Sequence, residues 1–192
     1  MHANPHHHKH VLQLDIQGTP QAWLTLEQAA TYIATDSVAW ADGDGPLATL
    51  RGGFNARLGR VSTIEVYPII ALHGAPRVNL FDQVPTYSRH KLFLRDRLTC
   101  AYCGEVRPER DLSADHIVPQ AQGGSWEWMN LVTACRCNGI KGNRTPEQAG
   151  MPLLYLPYVP SRFEDFLLQN RRVRADVHEW LASRLPKGSR LN

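Results

Sequence analysis

Several features are missing from the sequence or scarce in it. There is no run of about 18 apolar residues, so we expect no membrane span. The first thirty residues lack a basic segment followed by an apolar one, so we expect no secretory signal and a cytoplasmic location. Cysteine is scarce, with four residues that all lie within 38 positions, which argues against a disulfide scaffold. Hydrophobic residues make up 43 % of the chain and exclude wholesale disorder.

Charge is low overall and unevenly distributed. The 192 residues carry a net charge of +3, with 5 basic and 7 acidic side chains in residues 1–85. Residues 86–192 carry 16 basic and 11 acidic side chains. The basic second half weakly favours a polyanionic partner such as nucleic acid.

Composition and periodicity divide the chain into four predicted parts. Residues 1–10 hold five of the nine histidines and are expected to be a disordered tail. Residues 11–85 alternate apolar and polar positions between turn signals, which predicts a β-rich region with one capped helix at 26–34. A helix is predicted at 85–98, across the start of residues 86–150, which contain all four cysteines. Residues 151–192 have apolar positions at helical spacing, which predicts a helical C-terminal extension.

The cysteines form two close pairs. Cys100-Ala-Tyr-Cys103 is followed by Gly104, as in a zinc knuckle, and Cys135-Arg-Cys137 can complete a four-thiolate site. The alternatives are separate buried thiols or a redox-active pair. A redox pair is expected in a thioredoxin-like βαβ context, which this sequence lacks. The pattern therefore favours a structural metal.

Asp115 and His116 lie between the two cysteine pairs. A carboxylate can hold a hard divalent cation and an imidazole can take a proton from water, as phosphodiester hydrolysis requires. Neighbouring residues of a strand point to opposite faces, so the two side chains need a local twist or different partners. Taken alone, the dipeptide is also compatible with a histidine that is hydrogen-bonded to its surroundings. Trp126 and Trp128 alternate, so we expect one indole to pack in the core and the other to be exposed, with core packing favoured for either one.

The ordered set of motifs over about residues 95–150 resembles the HNH endonuclease family. The motifs are RDRLTCAYCG, ADHIVPQAQGG, WMNLVTAC and CNGIKGNRTPEQAG. The resemblance implies an α+β fold, with a zinc-stapled ββα-metal core between a β-rich N-terminal part and a helical C-terminal part. We find no separate recognition module such as a helix-turn-helix.

The resemblance also implies the role of each site residue. His116 corresponds to the general base, and Asn130 to the asparagine that orients this histidine through hydrogen bonds. Asp115 and Asn138 correspond to ligands of a catalytic Mg²⁺ or Mn²⁺ ion. Lys141 and Arg144 lie where family members contact phosphate, and Arg95 is added as a candidate DNA contact. The structural zinc ion is assigned to Cys100, Cys103, Cys135 and Cys137.

One spacing departs from the family pattern. One residue rather than two separates Cys135 from Cys137, so only seven residues lie between Asn130 and Asn138. A residue lost inside a helix rotates everything after it by about 100°. A residue lost in the turn before the helix is absorbed, and we expect this case because loops accept length changes more readily.

These observations predict a metal-dependent endonuclease that hydrolyses DNA, with nicking or weakly specific cleavage. A second hypothesis is a zinc-stapled nucleic-acid-binding module that keeps the fold without turnover. A third, more distant one is a redox or metal-storage protein. The sequence makes no prediction of oligomeric state.

Overall fold

The structure, a computed structural model, describes residues 10–57, 59–74 and 83–192. Disorder was predicted for residues 1–10, and all of these except His10 lie outside the described residues. The chain divides into two compact units. The first contains Met1–Asp82 and Asn170–Ser183, and the second contains Gln83–Gln169 and Arg184–Asn192. Segments of the predicted helical extension, 151–192, thus belong to both units.

The elements include both helices and strands, so the α+β prediction is confirmed. Among the described residues, no helix combines the length and apolar character needed to cross a membrane. The strands are β1 (Val11–Leu14), β2 (Pro20–Leu24), β3 (Val38–Asp42), β4 (Ala48–Asn55), β5 (Arg60–Val66), β6 (Ile69–Leu72), β7 (Ser113–His116) and β8 (Leu131–Ala134). The helices are α1 (Leu26–Ala34), α2 (Arg89–Arg95), α3 (Cys137–Lys141), α4 (Pro146–Ala149), α5 (Arg162–Leu168) and α6 (Ala175–Ala182).

The first unit contains a four-stranded sheet and a separate hairpin. The sheet has the order β2-β1-β6-β3, with β1 and β6 parallel and the other neighbours antiparallel. Strands β4 and β5 form the antiparallel hairpin. Helix α1 begins at the capping box of Thr25 and Gln28, as predicted, because each side chain binds the other residue's backbone N–H. Its buried residues pack with those of the strands in one core.

The second unit is built around β7, β8 and α3, which follow one another along the chain. Strands β7 and β8 are antiparallel and place Asp115 opposite Val132 and His116 opposite Leu131. Helix α2 supplies Leu92 and Phe93 to a core that also contains Trp128 and Leu131. This core supports one face of the small sheet and holds it beside the cysteines.

Helix α2 is shorter than the predicted 85–98. It begins after Ser88, whose hydroxyl accepts a hydrogen bond from the Lys91 N–H, which satisfies one of the free donors at the helix start. It ends at Arg95 because Arg97 and Leu98 both have a φ of 55°, which no right-handed helix accommodates. The left-handed pair turns the chain toward the first cysteine.

Candidate active site and metal centre

The four cysteines meet at one point although they come from two distant segments. Their sulfur atoms all lie within 4.8 Å of one another. The Cys103 and Cys135 sulfurs are 3.7 Å apart, and those of Cys135 and Cys137 are 3.6 Å apart. A tetrahedral zinc ion with bonds of about 2.3 Å separates its sulfur ligands by about 3.8 Å. All four cysteines are free of disulfides, so the cluster fits a tetrahedral metal ion.

Local backbone geometry directs these thiols toward one another. The Gly104 N–H donates to the Cys100 carbonyl in a tight turn, and Gly104 has a φ of +75°, which favours glycine. Cys135 follows β8 directly, and Cys137 is the first residue of α3. Burial raises the pKa of the Cys100 thiol, but hydrogen bonds with nearby backbone groups outweigh it and lower the pKa to about 7. Cys100 is thus the thiol most readily converted to the thiolate that binds metal, since the pKa values of Cys103 and Cys137 are raised.

Asp115 is held from two sides inside the second unit. The residue is 3 % exposed. One oxygen accepts a 2.5 Å hydrogen bond from the Tyr102 hydroxyl, and the other lies 3.2 Å from the Lys141 ammonium. Burial raises the pKa of Asp115, while the Tyr102 hydrogen bond and the Lys141 charge oppose this shift. Tyr102 was not among the residues predicted from sequence, and its only signal there is its position inside the Cys100–Cys103 turn.

His116 has a different environment from Asp115, as the alternation of the strand requires. Its ring packs edge to face on Trp126, with the ring centroids 4.3 Å apart. The Nε2 atom is buried and has no hydrogen-bond partner among the described residues. Burial lowers the pKa of His116, against the opposing charge of Asp115, and this favours the neutral ring. A neutral ring has the chemistry of a general base, and its Nε2 atom must become accessible to water before it can act as one.

The two neighbouring tryptophans differ in exposure, as predicted. Trp128 is 2 % exposed and its Nε1 donates to the Pro85 carbonyl, whereas Trp126 is 53 % exposed. Tyr87 packs against both rings. Trp126 therefore joins the site through its contact with His116, a role that the sequence analysis missed.

Asn130 fixes the loop that follows His116. Its side-chain oxygen accepts from the Val118 N–H, and its amide nitrogen donates to the carbonyls of Val118 and Ser125. The expected hydrogen bond to the His116 ring is not among these contacts. The asparagine instead closes the loop on itself, and any effect on His116 passes through this backbone. The same closure brings the Val118 carbonyl so near Gly124 that a Cβ there would lie 1.7 Å from the oxygen.

Asn138 lies in the first turn of α3 and contacts β7. Its amide nitrogen donates to the Ser113 hydroxyl over 2.9 Å. Ser113 and Asp115 are two residues apart on the strand and share a face, so Asn138 is directed to the face that carries Asp115. The single residue between the cysteines, Arg136, precedes the helix rather than interrupting it. The geometry therefore favours a turn that absorbs the missing residue.

Two of the three predicted DNA contacts are buried, and these expectations are corrected. The Arg95 side chain is 0 % exposed; it pairs with Asp96 and donates to the carbonyls of Trp128, Leu131 and Tyr158. All of its nitrogens are thus engaged inside the unit, and no phosphate can reach them in this arrangement. The Lys141 side chain is 1 % exposed and donates to the carbonyls of His116 and Arg144 as well as contacting Asp115. Both residues are structural here.

Arg144 is exposed and remains a candidate phosphate contact. Its guanidinium donates to the carbonyls of Ile140 and Lys141 at the end of α3. These bonds satisfy carbonyls that the helix leaves without partners. They also hold the guanidinium at the surface of the unit.

Residues 100–154 match the family model described as HNH endonuclease. This segment contains the cysteine cluster, the Asp115–His116 pair, Asn130 and α3. The match thereby confirms, over these residues, the resemblance seen in the motifs. No curated protein matches the chain.

Proposed function

We propose that the protein is a metal-dependent endonuclease that hydrolyses DNA phosphodiester bonds, with nicking or weakly specific cleavage. The observation that carries this proposal is the pairing, on β7, of a buried carboxylate with a histidine that has an unused ring nitrogen. It lies within a segment that matches the HNH endonuclease family. We further propose that the four-cysteine cluster binds zinc, because four thiolates at tetrahedral spacing are the preferred structural site of this metal.

The donor atoms of Asp115 and Asn138 suit a hard cation. Carboxylate and amide oxygens favour Mg²⁺ or Mn²⁺. Asn138 uses its amide nitrogen for Ser113, which leaves its oxygen available to a ligand. When bound, such an ion supplies charge neutralisation at the scissile phosphate and the leaving oxygen.

The chain's own residues provide the base and its support. His116 takes a proton from the attacking water, and the lowered pKa of its ring keeps it in the neutral form that this step needs. Trp126 packs on the imidazole and restricts its orientation. Asn130 closes the following loop, and Lys141 joins α3 to the His116 carbonyl. Arg144 is the remaining candidate for holding a phosphate.

A non-catalytic nucleic-acid-binding module is the second candidate. It is favoured by the environment of Asp115, whose two oxygens are both engaged and which is almost inaccessible to solvent. In this case the Asp115–Lys141 pair stabilises the unit and no ion replaces the ammonium.

Incubation of supercoiled plasmid with the protein and Mg²⁺ separates the two candidates. We expect nicked or linear product in the wild type, and about a 100-fold lower rate in His116→Ala, the scale of general-base loss. The matched control is His90→Ala, which removes an exposed histidine of the same unit that pairs with Glu109. Binding of DNA is measured in parallel and should be equal in all three proteins.

Two results would contradict the proposal. Equal nicking by wild type and His116→Ala would remove His116 from the mechanism. Binding of DNA without cleavage by the wild type, in a preparation that retains its zinc, would favour the non-catalytic module.

A further inference from the structure

The hairpin of β4 and β5 has an anchored base and a solvent-exposed outer half. Near the base, Leu50, Ile64 and Val66 belong to the core of the first unit. Beyond Arg51 every described side chain of the hairpin up to Thr63 is exposed, including Phe54 at 68 % and Val61 at 46 %. The outer half is thus a two-stranded ribbon whose side chains are not used by its own unit for packing.

Positive charge is concentrated on this ribbon. Residues 11–47 contain five acidic residues and no lysine or arginine. Residues 48–66 contain one acidic residue and three arginines, namely Arg51, Arg57 and Arg60. Among the residues that the structure describes, the guanidinium groups of Arg51 and Arg60 form no ion pair. Arg51 and Arg60 are therefore exposed cations of an otherwise acidic segment.

The register places charge and apolar surface together. Arg51 is opposite Thr63 and Phe54 is opposite Val61, with one extra residue in β4 accommodated by a bulge at Gly52 and Gly53. Val61 and Thr63 are two residues apart, so all four side chains share one face. Arg60 lies on the other face, close to the turn. The ribbon thus combines exposed guanidinium groups with an exposed aromatic ring.

We propose that the outer half of the β4–β5 hairpin binds double-stranded DNA, with Arg51 and Arg60 contacting phosphates. This inference extends the proposed function, since it supplies a second contact with the same substrate class. A two-stranded antiparallel ribbon fits the major groove of DNA, and guanidinium groups neutralise its phosphates. Single-stranded nucleic acid is less suited because such sites stack successive bases on several aromatic rings, and the outer half offers only Phe54.

The test measures binding rather than cleavage. Fluorescence anisotropy of a short labelled DNA duplex, without added divalent cation, compares wild type with the double variant Arg51→Gln/Arg60→Gln. We expect about tenfold weaker binding. We also expect the plot of the log association constant against log salt concentration to become less steep by about 2, because each of the two lost phosphate contacts removes about 0.9 from the slope. The matched control is Arg110→Gln/Arg172→Gln, which loses the same charge at exposed positions outside the hairpin. Circular dichroism verifies that both variants fold.

Several outcomes would overturn the proposal. Equal losses of duplex affinity in the two double variants would assign the effect to net charge. Unchanged affinity in Arg51→Gln/Arg60→Gln would remove the hairpin from the interface. Arginine-dependent binding of single-stranded DNA or RNA in preference to the duplex would contradict the assigned partner, and so would no binding of the duplex by wild type. Unchanged duplex binding by a hairpin variant that still cleaves DNA would overturn this inference alone. Hairpin-dependent binding without any cleavage would overturn only the proposed function.

Discussion

The Lys141 ammonium lies 3.2 Å from the Asp115 carboxylate, and the two side chains are 1 % and 4 % exposed. The pair connects α3 to β7 at the point where the two candidate catalytic residues lie. The same ammonium also donates to the His116 carbonyl. Lys141 therefore acts on the site from inside the unit, through the strand that carries Asp115 and His116.

Replacing Lys141 by Met should lower the free energy of unfolding by about 3–5 kcal/mol, because removal of one partner leaves a buried charge without compensation. Adding Asp115→Asn to Lys141→Met should restore part of this loss, since the uncompensated carboxylate is then gone. Chemical denaturation measures both effects. The control Lys187→Met removes an exposed lysine and should change stability by no more than about 0.5 kcal/mol. A loss of DNA affinity at unchanged stability in Lys141→Met would instead support a direct phosphate contact.

Gly124→Ala should destabilise the protein and reduce cleavage, because the new Cβ would lie 1.7 Å from the Val118 carbonyl oxygen. The loop held by Asn130 then has to open, at a cost of about 1–3 kcal/mol, the usual scale of overpacking. Gly139→Ala is the matched control, since nothing lies within 4 Å of a Cβ at this position in α3. It should be neutral or stabilising by up to about 1 kcal/mol. Thermal unfolding and plasmid cleavage are measured for both, and a native melting temperature in Gly124→Ala would contradict the closed loop.

About one zinc ion per chain should remain after extensive dialysis, because the four thiols already lie at the spacing of a tetrahedral site. Cys135→Ser should retain less than about 0.3 zinc per chain and lose cooperative unfolding of its unit, since the binding free energy of a structural metal is folding free energy. Elemental analysis and thermal unfolding measure the two effects. A variant without residues 1–9 controls for zinc held by the histidine-rich tail and should keep its metal. Loss of zinc in this variant alone would assign the metal to the tail.

Asn138→Ala should raise the Mg²⁺ concentration needed for half-maximal cleavage, because one oxygen donor on the Asp115 face is removed. Inserting one Arg between Arg136 and Cys137 should lower zinc retention, since the turn before α3 already brings the Cys135 and Cys137 sulfurs within 3.6 Å. Metal titrations of wild type and both variants provide the measurement. A silent Asn138→Ala together with a more active insertion variant would show that α3 is out of register.

Much of the candidate site follows from sequence because its signals are local. The two cysteine pairs predict a shared metal site from spacing alone, and their sulfurs do meet. The capping box at Thr25 and Gln28 defines the start of α1 through contacts within four residues. Trp126 and Trp128 differ in exposure as expected, but not through strand alternation, since residues two apart on a strand share a face and Trp128 lies in a short 3-10 helix.

Contacts between residues that are distant in sequence could not be predicted from such local signals. From sequence, Arg95 and Lys141 were interpreted as surface cations, since nothing near them in sequence distinguishes a buried guanidinium or ammonium from an exposed one. Their partners come from other elements, namely the carbonyls of Trp128 and Tyr158 for Arg95 and the Asp115 carboxylate for Lys141. The role of Tyr102 depends in the same way on the packing of the cysteine turn against β7.

The sequence by itself determined the α+β class, the pairing of the four cysteines as a candidate metal site and the HNH resemblance, because each depends on residue types at short, fixed spacings. Only the tertiary structure decided that Asn130 closes a loop rather than bonding the His116 ring, and that Arg95 and Lys141 are internal. The physical reason is that the burial of a charge is set by the carboxylates and carbonyls that surround it in space. A sequence lists these groups without giving the distances between them.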